Sequence, residues 1–449
     1  MTTLLAIQWA SVGIKTVQFI LSFSILVVLH ELGHYLPARW FKCRVEKFYL
    51  FFNPYFSLYK KKVNDTEWGI GWIPFGGYVK IAGMIDESMD KEQLKQPAQP
   101  YEFRSKPAWQ RLIIMVGGVV VNILLAIVIF IGITFVWGDE HLPPQNAKFG
   151  LYADTLAQKV GIQSGDIITA VNDKPLEDLS RVTAEIVIND AQKITVLRKG
   201  ATITLPISKD VMDKLKENRL GGFVSIQIPT IIDSVLSSAV FANNTSLKKG
   251  DQVIMFENKP CPYFYEFKKL IDSVDGNFVN LKVLRNADTM TVRCFVKDGK
   301  IGFSPKPPSK QFVTVIKKYS FIQSIPVGFN RCFETLDNYV AGVKKIFTGK
   351  EKAKNSLGSL ISIGNAYSGV WDWQSFWSLT GIFSIILAFM NILPIPALDG
   401  GHALFTIIEI ITRRKPSEKF MEIAQTIGMI LLMGLMVYAL GLDFWRLFK

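Results

Sequence analysis

From Thr16 to Trp40 the chain reads TVQFILSFSILVVLHELGHYLPARW, an apolar run of bilayer-spanning length that ends on two histidines and a glutamate. Hydrocarbon offers no partner to an exposed peptide group, so a run of this kind has to be a helix. Similar runs follow at Leu112 to Trp137, from near Phe376 through Met390, and from Ala424 to Leu440. They predict a multi-pass α-helical membrane protein with about four transmembrane helices. The 449 residues are 49% apolar with a positive mean hydropathy of +0.24, together too apolar for an ordinary soluble protein of several domains.

The histidines and glutamate are His30, Glu31 and His34. Residues four apart on a helix project from one face, so both imidazoles can grip one ion. Glu31 leaves the helix about 100° from His30, within reach of a metal-held water without displacing it. This is the His-Glu-x-x-His pattern of zinc metalloproteases, in which Glu is the general base and zinc brings the pKa of its water to about 7. Each ionisable group in a membrane helix costs about 2.5–3.5 kcal/mol on insertion scales and tends to mark function.

The formal charge is +13. Its Lys and Arg residues flank the apolar runs and no base-reading motif accompanies them, so no nucleic-acid partner is expected. Arg39, Lys42, Arg44, Lys47 and Lys60-Lys61-Lys62 mark one cytoplasmic loop, and Arg413, Arg414 and Lys415 a second. Counting crossings then puts both termini and the long segment between the second and third runs outside the cytoplasm. Only Lys15 precedes the first run as a basic residue and no small-residue cleavage site precedes the histidines, so the run is expected to stay in the mature protein. The four cysteines, Cys43, Cys261, Cys294 and Cys332, form no C-x-x-C; Cys261 and Cys294 fall in one predicted domain and can pair if it faces an oxidising space.

Within the first cytoplasmic loop, Trp68 to Ile81 is rich in glycine, aromatic and β-branched residues. It reads as a β-hairpin or β-loop with an apolar surface, either packed on the cytoplasmic side or dipping into the bilayer. In the second run, Gly117-Gly118 allow close helix approach and Asn122 is expected to face the bundle.

Between about Leu142 and Pro305 a mixed sequence carries an internal repeat. Gly165-Asp166 and the strand after it match Gly250-Asp251, an offset of 85 residues; Leu197-Arg198 matches Leu284-Arg285, an offset of 87. The unit is a small α+β domain in tandem, resembling PDZ domains, whose open strand edge can capture an extended peptide. Lys317 to Phe347 reads as an amphipathic helix broken by Pro326, suited to a membrane surface. The expected divisions are 1–138 (two spans, metal motif, β-loop), 139–220 and 221–306 (PDZ-like domains), 307–375 (surface segment) and 376–449 (last two spans).

A catalytic zinc usually has three protein ligands and one open position. Besides His30 and His34 the chain has only His141 and His402, and the topology puts His141 across the membrane. The third run breaks at Pro394, Pro396, Gly400 and Gly401, and beside the break stand Asp399 and His402, either of which can serve by spacing alone.

Three separated motifs, His30-Glu-Leu-Gly-His34, Phe75-Gly-Gly-Tyr78-Val-Lys80 and Asn391-x-x-Pro394-x-Pro396-x-x-Asp399-Gly-Gly-His402, stand in the order of the site-2 protease family. The chain resembles these intramembrane zinc metalloproteases, in particular the bacterial regulator-of-sigma type with two PDZ domains. The resemblance implies Zn2+ held by His30, His34 and Asp399, Glu31 as catalytic base, and His402 as a supporting residue. It implies substrate contacts at Asn391 and at Gly76, Gly77, Tyr78 and Val79 of a membrane-reentrant β-element. It also implies the bacterial inner (cytoplasmic) membrane, PDZ-like domains on the periplasmic side, and single-span membrane proteins as substrates. The chain departs from the family at Gly118-Val119-x-x-Asn122, which lacks a proline, and at Phe48 to Asn53, where the family has glycines.

Two rival classes remain open to the sequence. A non-catalytic scaffold would leave the metal motif idle, and a metal transporter would release metal on turnover.

Overall fold

A computed structural model describes residues 2–84, 97–217, 223–236, 239–242, 245–297, 299–307, 310–348 and 360–447. The chain forms two compact units, Met1–Gly138 with Lys318–Lys449, and Asp139–Lys317.

Among the described residues of the first unit seven helices carry the apolar sequence: α1 (Thr2–Trp40), α2 (Ala108–Val136), α3 (Phe321–Phe347), α4 (Leu360–Ala366), α5 (Trp373–Ile392), α6 (Asp399–Thr412) and α7 (Glu418–Leu447). Among the described residues four segments are long and apolar enough to cross a membrane: Trp9–Trp40, Ala108–Val136, Trp373–Ile392 and Lys419–Asp443. Even the 20-residue segment spans about 30 Å at 1.5 Å per residue. Helix α2 is central and touches α1, α3, α5 and α6.

The α1–α2 crossing is made by glycine. A Cβ on Gly33 would fall 2.5 Å from the Gly117 carbonyl oxygen, and one on Gly117 only 2.0 Å from that of Gly33. Pro37 lies inside α1 and has no N–H to give the Gly33 carbonyl, so the helix backbone is bare where α2 meets it.

Pro326 does not break α3, which runs unbroken from Phe321 to Phe347. A proline removes one hydrogen bond from a helix, and packing compensates. Gly328, two residues on, sits against the backbone of Ile131 in α2, and Cys332 joins Phe130, Ile133 and Ile385 in one apolar cluster. The helix starts with a capping box in which Ser320 Oγ accepts from Gln323 N and Gln323 Oε1 accepts from Ser320 N.

Four strands follow α1: β1 (Val45–Phe52), β2 (Tyr59–Val63), β3 (Thr66–Ile70) and β4 (Ile73–Ile81), in the order β2-β3-β1-β4. The expected hairpin over Trp68 to Ile81 is therefore not a hairpin. β3 and β4 do not pair, because β1 lies between them, parallel to β3 (Lys47 opposite Glu67) and antiparallel to β4 (Tyr49 opposite Tyr78). The insertion satisfies backbone groups on both sides of β1 and leaves β4 at the edge of the sheet. Gly77 lets β4 lie on α1: a Cβ there would fall 2.6 Å from Val27 Cγ1 and 3.7 Å from Glu31 Cγ.

The second unit contains the repeat, and its two halves have separate apolar cores. One gathers Ile168, Val196, Leu215 and Phe223, the other Val253, Leu281, Val292 and Phe267. In the first, the strands Ile167–Val171, Lys193–Arg198 and Ala201–Pro206 form an antiparallel sheet; in the second, Gln252–Phe256, Phe278–Arg285 and Asp288–Phe295 do the same. Each half has the same buried clasp. Arg198 grips Asp166 with Nε and Nη2 at 2.8 and 2.7 Å, and Arg285 grips Asp251 at 2.7 and 2.7 Å. The aspartates also accept the backbone N–H of Gln163 and of Lys248, each at 2.8 Å. Cys261 and Cys294 are free, so the pairing open to them by sequence is not made. Burial pushes both thiols up to about 12.

Candidate metal centre

Helix α1 turns His30 and His34 toward α2, where the absence of a side chain at Gly118 admits their rings. A Cβ there would lie 2.4 Å from His34 Nε2 and 2.6 Å from His30 Cε1. Opposite them the break between α5 and α6 delivers Asp399 as the first residue of α6. Ala397 takes a left-handed conformation, with φ of 83°, and Gly400 and Gly401 let α6 start hard against the carbonyls of Leu393 and Ile395. A carboxylate at a helix N-terminus faces the positive end of the helix dipole.

The three side chains converge. His30 Nε2 and His34 Nε2 are 3.3 Å apart, and Asp399 Oδ2 lies 3.2 Å from the first and 3.3 Å from the second. Zinc bonds of 2.0–2.1 Å in a tetrahedron place neighbouring donors about 3.3 Å apart, so the triangle has the size of one face of a zinc site. Asp399 Oδ2 is buried, with the two imidazole nitrogens as its near polar neighbours. His34 Nδ1 lies 2.8 Å from the Ile114 carbonyl oxygen, which can only accept, so the proton is on Nδ1 and Nε2 offers its lone pair to the centre. The three donors fit a zinc ion, which His30, His34 and Asp399 would hold.

Glu31, Asn391, Gly76, Gly77, Tyr78, Val79 and His402 all line one cavity of about 790 Å³ that contains the three donors. Asn391 Nδ2 is 3.2 Å from His30 Nε2, beside the point on which the donors converge. His402 stands apart from the triangle, its Nε2 2.9 Å from Gln425 Nε2 on α7. Of the two residues left open by spacing, the fold brings Asp399 to the histidines.

Sequence reasoning had no means of finding several neighbours. Gln425, Lys47 and Asn53 also line the cavity. Asn53 Oδ1 accepts the hydroxyl of Tyr78 at 2.9 Å, tying the loop after β1 to the edge strand. Asn122, expected to face the bundle, is fully buried, with its amide 3.0 Å from His30 Nδ1. A polar residue inside an apolar run was the signal for Asn122; its partner was not readable.

Residues 18–435 match the sequence profile of peptidase family M50. The chain is 29% identical over 450 residues to a putative zinc metalloprotease of Neisseria meningitidis, covering 96% of this chain and 98% of that one. It is 26% identical over 451 residues to the regulator of sigma-E protease RseP of Escherichia coli, at 96% and 98% coverage. A putative zinc metalloprotease of Thermotoga maritima is 24% identical over 516 residues, at 96% and 99%. The chain belongs to peptidase family M50.

Proposed function

We propose that this metalloendopeptidase is an intramembrane zinc protease that hydrolyses peptide bonds in the transmembrane segments of other proteins. The observation that carries the reading is the triangle of His30 Nε2, His34 Nε2 and Asp399 Oδ2, with sides of 3.2–3.3 Å, its two histidines on a helix apolar enough to span a bilayer. Zinc held by these residues supplies Lewis acidity toward a peptide carbonyl and a water acidic enough to lose its proton near neutral pH.

The protein's own groups do the rest. Glu31, in the same cavity, takes the proton of the attacking water and passes it to the leaving amine. Asn391 directs its amide toward the substrate carbonyl oxygen. The edge of β4 at Gly76, Gly77, Tyr78 and Val79 accepts the substrate as an added strand, replacing the hydrogen bonds lost when a helix unwinds in lipid. His402 supports the start of α6 through Gln425.

The domain assignment extends the reading. Residues 1–138 and 376–449 hold the catalytic spans, and the four-stranded sheet is membrane-associated. Residues 139–220 and 221–306 are PDZ-like domains on the periplasmic side of a bacterial inner membrane. Residues 307–375 form an amphipathic membrane-surface segment, supported by the exposed Phe321, Ile322 and Phe329 of α3. The substrates are single-span membrane proteins, such as a membrane-bound anti-sigma factor or remnant signal peptides, and the PDZ-like pair admits those whose outer domain has been trimmed.

Purified wild type and Glu31→Gln, offered a single-span substrate with zinc measured in both, test the chemistry. Both should hold about one zinc and only wild type should cut; undiminished cleavage by the variant removes Glu31 from the base role. Deleting Leu142 to Pro305 tests the filter. Cleavage of substrates with intact outer domains is expected, and loss of all cleavage would instead mean docking.

A further inference from the structure

Both histidines of the centre point Nε2 inward and Nδ1 outward to α2, but the two outward partners differ in kind. For His34 the partner is the Ile114 carbonyl, which fixes the proton on Nδ1. For His30 it is the side chain of Asn122, two helical turns further along α2, whose amide can present either end. With Nδ2 toward the ring at 3.0 Å, Asn122 Oδ1 is buried without a hydrogen-bond partner. That orientation also requires the His30 proton on Nε2, aimed at His34 Nε2 and Asp399 Oδ2, 3.3 and 3.2 Å away. Turning the amide by 180° exchanges two ends of the same shape and sets Oδ1 against Nδ1–H. The side chain is held for this contact: Asn122 is fully buried, and Ser384 Oγ of α5 donates to its backbone carbonyl at 2.7 Å.

We propose that Asn122 is a positioning residue that accepts the Nδ1–H of His30 through Oδ1 and so holds the ring in the tautomer that offers Nε2 to the metal. One helix thereby supplies the outer partner of both histidines, a backbone carbonyl for one and a side-chain carbonyl for the other. Outer partners of metal-bound histidines typically change metal affinity 10–100-fold when lost. The proposal rests on the zinc reading above, and the test separates the two.

The experiment is zinc affinity of the full-length protein in detergent by chelator competition, for wild type, His34→Ala, Asn122→Leu and Asn122→Asp. If wild type and His34→Ala take up zinc equally, the zinc reading fails and this inference with it. If wild type holds zinc and His34→Ala loses it, the Asn122 variants decide. Asn122→Leu, which keeps the volume and loses the acceptor, should bind zinc about 10–100-fold more weakly. Asn122→Asp, which keeps an acceptor at the same reach, should bind as tightly as wild type or more so. Wild-type affinity in the Leu variant overturns the proposal. Equal weakening in the Leu and Asp variants also overturns it, since packing rather than an acceptor would then be what matters. Should the Leu variant not fold, Asn122→Ala, which only removes atoms, is measured in its place against the same two outcomes.

Discussion

Gly118 lies against His34 so closely that a single added carbon would sit 2.4 Å from Nε2, the atom that faces Asp399. The helix supporting the metal site thus has to be bare at this residue. Gly117 beside it is bare for another reason, since its backbone meets that of Gly33.

Gly118→Ala is expected to displace the imidazoles and lower zinc occupancy at least tenfold, with a loss of about 1–3 kcal/mol of stability from overpacking. Zinc stoichiometry and the thermal midpoint of the purified variant check this. Full zinc content would mean that the rings have room the structure does not show.

Asp399→Asn should reduce zinc content, because a neutral amide is a poorer ligand than the carboxylate whose Oδ2 lies within 3.3 Å of both histidines. His402→Ala should keep its zinc, because its Nε2 faces Gln425 rather than the triangle. Metal analysis of the two variants side by side decides between them, and the reverse pattern would make His402 the third ligand.

Arg198→Met and Arg285→Met each strand an aspartate whose side chain is 1% exposed. A carboxylate left buried without its counter-charge destabilises the fold around it. Because the two halves have separate cores, each substitution should raise hydrogen exchange in its own half and leave the other half protected. Exchange rising equally in both halves would show that they unfold as one.

The thiols of Cys261 and Cys294 should resist alkylation at pH 8 in the folded protein, since burial pushes both up to about 12 and thiolate is the reactive form. Reducing agent should leave the thermal midpoint unchanged. A lower midpoint on reduction would reveal a disulfide.

Much of this architecture was legible because its causes are local. A span is set by the need to satisfy peptide groups within one segment, so the apolar runs could be read directly. The His30–His34 pairing is set by helical pitch. The tandem unit showed itself through the recurrence of Gly-Asp and Leu-Arg, and the structure gives both copies the same arginine–aspartate clasp. Composition misled where pairing is not local. Trp68 to Ile81 has the look of a hairpin, yet β1, more than twenty residues upstream of β4, inserts between its two strands.

By itself the sequence determined that the apolar runs are helices long enough to span a bilayer and that His30 and His34 share one face with Glu31 beside them, because each follows from residues within one helical turn or one run. Only the tertiary structure decided which of two residues three positions apart, Asp399 or His402, meets the histidines. It alone also set which groups stand behind them, Ile114 at 80 residues from His34 and Asn122 at 92 from His30. Those choices depend on the close crossing of α1 and α2 at glycine and on the angle at which α6 restarts after its break, and neither is a property of any single segment.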